Sequence, residues 1–126
     1  MIWEHFEVAK TGTCEVFKKS TGEIIYCNYK LGVISTGKSR VFYGYQIEIT
    51  NEKFSIFIAG KSKGYSETYS IALRDCNNKM EEAGLSLLVA GNSSDYSESA
   101  MSGGSGYGYI KGRKERIYIM SPLIAT

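Results

Sequence analysis

Gly32-Val33-Ile34-Ser35-Thr36-Gly37-Lys38-Ser39 matches GxxxxGK[ST] in full, the pattern whose backbone amides cradle nucleotide phosphates. That cradle works only where a strand runs in and a helix runs out, because the helix N-terminus supplies the aligned N–H groups. Here the residues that follow, Arg40–Thr50, alternate as a strand, and no apolar strand ending in aspartate comes after them to hold a magnesium ion. The match reads as a coincidence in a chain rich in Gly, Ser and Lys. His5 is the only histidine, so histidine acid–base chemistry would rest on one residue between Glu4 and Phe6. A solvent-facing or edge histidine is expected there. Cys14, Cys27 and Cys76 show no CxxC spacing and, with one histidine, fall short of a zinc set. They read as small buried apolar groups in a reducing compartment.

Two carboxylate pairs stand out, Glu81-Glu82 and Asp95 with Glu98. The first falls at a predicted helix C-terminus, where negative charge is disfavoured; it reads by default as a solvated helix end, with a positive neighbour as the alternative. The second lies in a loop beside Tyr96, suited to pairing with a basic partner and not to glycoside hydrolysis. The glycines of Ser102–Tyr109 could form an anion-binding nest, but they lack the strand–helix setting. The whole stretch from Asp95 to Tyr109 mixes Tyr, Ser, Gly and acid. That is the chemistry of protein-binding loops: tyrosine offers large area with few rotors, and Ser and Gly adapt. The candidate partner-binding residues are Asp95, Tyr96, Glu98, Tyr107, Tyr109, Glu81 and Glu82. No catalytic set, cofactor site or metal site is expected, so the chain reads as a non-enzyme.

The elements that must position these residues follow from periodicity. The 126 residues suit one domain, and 43% hydrophobic content with one proline and fourteen glycines favours strands joined by turns. Strands are expected over residues 2–9, 13–19 and 23–29, with turns at Thr11-Gly12 and Ser20-Thr21-Gly22. Arg40–Thr50 places Val41, Tyr43, Tyr45, Ile47 and Ile49 on one face. A tight turn at Asn51-Glu52 then returns the chain along Lys53–Ala59. Tyr69, Ala72, Leu73, Cys76, Met80 and Ala83 share a helical face over about 68–83, with Ser66 or Thr68 as cap, Glu67 at the positive end and Gly84 as the left-handed stop. Leu85–Ala90 reads as a buried strand, followed by strands at Tyr107–Ile110 and Arg116–Met120. The fold class is therefore α+β, a mainly antiparallel sheet with one principal helix on one face. Lys111-Gly112-Arg113-Lys114, with Arg116, reads as a solvated hairpin end. The net charge of +2 is too small to argue for nucleic acid by itself. The N-terminus has no basic and apolar leader, and no apolar run approaches membrane-spanning length, so a soluble cytoplasmic protein is expected.

With its LLVAG strand and its YSES…SGGSGYGYI segment, the chain resembles the immunity proteins of bacterial contact-dependent growth inhibition and related polymorphic toxin systems. The resemblance rests on residues 85–110 together with size and class. It implies a protein that binds one cognate toxin domain, commonly a nuclease, and blocks its active site or substrate surface. Inhibitors of nucleases are often acidic, whereas this chain is slightly basic, so either its acids are concentrated locally or its toxin is not strongly basic. Two other readings compete. A nucleic-acid-binding module would use Phe42, Tyr43, Tyr45 and the 111–116 cluster. A small enzyme would hold a phosphate-bearing ligand through Gly37-Lys38-Ser39 or the 103–108 glycines.

Overall fold

A computed structural model describes residues 4–37, 41–62, 69–93, 95–97 and 106–122, with residues 41–43 described by their backbone alone. The α+β class holds. Four strands come first: β1 (Glu4–Lys18), β2 (Glu23–Thr36), β3 (Val41–Asn51) and β4 (Ile56–Lys61). Helix α1 (Tyr69–Glu82) follows, then β5 (Leu85–Leu87), a single 3-10 turn (Ala90–Asn92), β6 (Tyr96–Ser97), β7 (Tyr107–Ile110) and β8 (Arg116–Tyr118). The main sheet runs β4-β3-β2-β1-β5 with all pairs antiparallel, and a small sheet runs β6-β7-β8.

The first two expected strands are one. β1 runs 15 residues, and Thr11-Gly12, expected as a turn, continues the ladder opposite Lys30 and Tyr29. Gly12 is there for close approach: a Cβ would fall 2.5 Å from the Tyr29 hydroxyl oxygen. The strand bends instead at a bulge between Val8 and Lys10. β2 is likewise longer than expected and takes in Gly32–Thr36. The GxxxxGKS match is therefore a strand followed by a turn at Gly37, and β3 begins at Val41. Its Lys38 and Ser39 lie outside the described residues.

One sheet face carries the core. Cys14, Val16, Ile25, Cys27, Tyr29, Leu31, Tyr45, Ile47, Ile49 and Ile56 are buried against Tyr69, Ala72, Leu73, Cys76 and Met80 of α1. The helical face is the expected one, except that Ala83 lies past the helix end and is exposed. Gly84 takes the stop with φ of 76°. The expected cap residues Ser66, Glu67 and Thr68 lie outside the described residues.

Both edges of the main sheet are covered by side-chain bonds to backbone. On β4, Lys61 N–H donates to Asp75 Oδ2 at 3.0 Å and Lys79 Nζ donates to the Ala59 carbonyl at 2.7 Å. On β5, Asn92 Nδ2 donates to the Leu87 carbonyl at 2.7 Å and to Asn77 Oδ1 at 3.0 Å. An edge strand with its polar groups occupied is a poor template for another strand. At one end the sheet curls enough for Glu4 of β1 to reach Lys61 of β4, Oε1 to Nζ at 2.6 Å. Those strands would lie about 14 Å apart in a flat sheet.

The β3–β4 turn is longer than the two residues expected, spanning Glu52–Ser55. Asn51 explains this: its Oδ1 accepts from Phe54 N–H at 3.0 Å while its Nδ2 donates to the Tyr26 carbonyl at 2.9 Å. The turn leaves Ser55 at φ of 54°, a region that disfavours a Cβ. Ser55→Gly is therefore expected to stabilise the protein by about 0.5–1 kcal/mol, read as a higher urea midpoint at unchanged slope. A lower midpoint would mean that the serine side chain contributes more than its strain costs.

Candidate partner-binding surface

The small sheet is fastened to the main body by backbone bonds. Ala90 N–H donates to the Ser121 carbonyl at 2.7 Å and Gly91 N–H to that of Ile119 at 2.9 Å, while the bond from Ile119 N–H to the Gly106 carbonyl at 2.8 Å extends the β7–β8 ladder itself. Val89 also bridges Pro122. The expected strand Leu85–Ala90 stops at Leu87 because the chain turns at Ala90–Asn92 to begin this second sheet. Within it Tyr96 lies opposite Ile110, Ser97 opposite Tyr109, Tyr109 opposite Arg116 and Tyr107 opposite Tyr118. The expected last strand, Arg116–Met120, ends at Tyr118, and Ile119 and Met120 are buried in the core.

Alternation then sorts the tyrosines. Tyr107 and Tyr109 point to the same side, with Arg116 and Tyr118 of β8. Tyr29, Tyr118 and Tyr107 form a file from the core outward, with ring centroids 6.2 Å and 5.3 Å apart. Lys10 Nζ stands 4.5 Å from the Tyr107 centroid and 4.8 Å from that of Tyr118, and Arg116 Cζ is 5.0 Å from Tyr107. Each such cation–π contact stabilises by about 0.5–1 kcal/mol at an exposed site. Burial, then the neighbouring Tyr29 hydroxyl, pushes the Tyr118 phenol well above the usual tyrosine range, so it stays neutral at physiological pH.

Of the candidate residues, Tyr109 is 44% exposed and Asp95 is exposed. They belong to one surface, because the Asp95 carbonyl accepts from Lys111 N–H at 3.0 Å, directly beyond β7. Tyr96 and Tyr107 are half-buried and serve the fold. Tyr96 packs on the core, its ring over Gly108, where a Cβ would come 2.6 Å from Tyr96 Cζ. Glu98 lies outside the described residues. Glu81 is not merely solvated but has a positive partner within the chain: it accepts from Lys19 Nζ and from Ser86 Oγ, the latter at 2.8 Å. The Lys19 and Ser86 hydrogen bonds hold its carboxyl below the usual range. Glu82 is exposed beside it. This pair belongs to the other end of the sheet. Lys18 and Lys10 mark the two ends, roughly 25 Å apart along β1, so the fold does not bring Glu81 and Glu82 to Tyr109.

Two features escaped the sequence reading. Lys10 over Tyr107, and the turn of Arg116 from the basic cluster onto the same ring, come from tertiary packing and are not marked by spacing. Tyr26 and Phe57, 69% and 70% exposed, stand on the sheet face opposite α1 with Ile24. Here a signal existed, because the run Ile24-Ile25-Tyr26-Cys27 is apolar on both sides of its strand. Tyr45, a stacking candidate for nucleic acid, is instead buried against Tyr69 with centroids 4.5 Å apart. The side chains of Phe42 and Tyr43 lie outside the described ones. Gly106–Tyr109 of the suspected phosphate nest lead into and form β7, and Gly103–Ser105 lie outside the described residues.

The three cysteines are buried as expected, with Cys14 directly opposite Cys27. Burial pushes the Cys14 and Cys76 thiols up to about 12 and the Cys27 thiol up to about 11. Among the described residues no His, Cys, Asp or Glu group of three is placed to hold a metal ion, and no helix is long and apolar enough to cross a membrane. No family model, curated protein or solved structure matches the chain.

Proposed function

We propose that this chain is an immunity protein that binds a cognate bacterial toxin domain in the cytoplasm and neutralises it by covering the toxin's active site or substrate surface. The observation that carries this reading is the exposed Tyr109 beside Asp95 on a small sheet tied by backbone bonds to the 3-10 turn that follows β5. A rigid amphipathic anchor, already ordered before contact, keeps the entropic cost of association low.

The test is growth rescue and calorimetry with the C-terminal toxin domain encoded by the neighbouring reading frame. Tyr109→Ala is expected to weaken binding about thirtyfold or more, the loss typical of a buried interfacial tyrosine, and to leave the fold intact because the side chain is exposed. Tyr26→Ser with Phe57→Ser is expected to leave binding unchanged. The reverse pattern would move the recognition surface to the open sheet face. Failure of the wild-type protein to bind or protect would remove the function itself. Substitutions at Tyr96 or Tyr107 do not serve as tests, since they disturb packing first.

A further inference from the structure

Resting on that reading, we infer that the partner presents an acidic protein surface to the β7–β8 hairpin. The hairpin carries Lys111, Arg113, Lys114 and Arg116 against Glu115 alone, a charge of +3, while the whole chain carries +2. Everything outside these six residues therefore sums to −1, and the molecule's positive charge is concentrated at one corner. All six residues are exposed. Lys111, Arg113 and Lys114 make no side-chain ion pair among the described residues, so their charge faces solvent. The hairpin is also shaped by backbone and not by those side chains: Arg113 N–H donates to the Ile110 carbonyl at 3.0 Å and Gly112 sits at φ of 85°. This corner adjoins the surface above, since Lys111 is hydrogen-bonded to Asp95 and Arg116 lies opposite Tyr109.

Such a patch attracts carboxylates and speeds encounter with a partner of opposite sign. An acidic protein fits it better than single-stranded nucleic acid. Strand binders stack successive bases on several open aromatic rings. Here Tyr109 is the one exposed ring beside the cations among the described residues, because Tyr107 is covered by Lys10 and Arg116. The slight basicity of the chain thus marks a toxin whose docking face is acidic, not the basic cleft of a nuclease.

The experiment measures association rates with the neighbouring frame's toxin domain across a salt series. Wild-type association is expected to slow steeply as salt rises. Lys111→Glu with Arg113→Glu and Lys114→Glu is expected to slow it about tenfold to a hundredfold at low salt, and Glu115→Lys to quicken it. Tight binding with a rate indifferent to salt and to these changes would overturn the inference and leave the proposed function standing. Wild-type failure to bind the toxin overturns both. Retention of a single-stranded oligo-dT at low salt, lost in the triple variant, with no effect of that variant on toxin association, would replace the acidic protein by nucleic acid.

Discussion

Gly60→Ala is expected to destabilise the protein by about 3 kcal/mol, the upper end of overpacking costs, and to lower its melting temperature by roughly 10 °C. A Cβ at Gly60 would lie 2.2 Å from the Ala72 carbonyl oxygen, 2.4 Å from Cys76 N and 2.5 Å from Cys76 Cβ. Two of those three atoms are helix backbone, so no rotamer change relieves the clash and α1 must lift from β4. Lifting it stretches the bonds from Lys61 N–H to Asp75 and from Lys79 to Ala59. It also loosens Leu73, Cys76 and Met80, which are buried against the sheet. The Asp95–Tyr109 surface lies on the small sheet, so under the proposed function the folded fraction of the variant should bind the toxin with unchanged affinity. Protection in cells should fall only with the amount of folded protein. A urea midpoint within experimental error of wild type would show that the helix does not sit as close to β4 as described.

Alkaline pH is expected to destabilise the protein strongly before its lysines lose their charge. Burial raises all three thiols, to about 12 for Cys14 and Cys76 and about 11 for Cys27, whereas the unfolded chain ionises them near 9. The folded state therefore keeps protons that the unfolded state releases. The stability this represents is fully present below pH 9 and is lost as pH rises toward 11 or 12. Each thiol contributes about 1.4 kcal/mol per pH unit in that window. Together the three remove on the order of 4 kcal/mol by pH 10 relative to pH 8, a large share of a typical domain's stability. Urea unfolding at the two pH values measures the loss. Cys76→Ala should reduce it by about a third even though the variant starts less stable, because its single proton no longer differs between states. A pH dependence equal in wild type and Cys76→Ala would mean that the thiols are reachable by water in the fold. The same burial predicts that a thiol reagent labels the native protein slowly and the unfolded one at once.

Much of this architecture was legible in the sequence because it depends on local period. Ile47 and Ile49 alternate into the core, the Tyr69–Met80 face packs as its 3.6-residue spacing requires, and Gly84 ends the helix. The same alternation excluded a phosphate loop at Gly32–Ser39, since a strand, β3, follows the turn. Local signals misled where a glycine answered a distant demand. Gly12 looked like a turn residue and is instead the space under the Tyr29 ring. The two-residue turn expected at Asn51-Glu52 failed for a similar reason, because the Asn51 side chain is committed to Tyr26 on a neighbouring strand.

For the candidate surface the division is the same. Sequence alone determined its ingredients: tyrosines, an acid and a basic hairpin within one stretch, on an α+β scaffold. Residue type and alternation are local properties of the chain. Which of those residues stay exposed was decided only by tertiary structure, because exposure and neighbourhood depend on strands far apart in sequence. It turned Tyr96 and Tyr107 into packing, left Tyr109 and Asp95 outside, sent Glu81 to Lys19 at the far end, and gathered the positive charge at the β7–β8 corner.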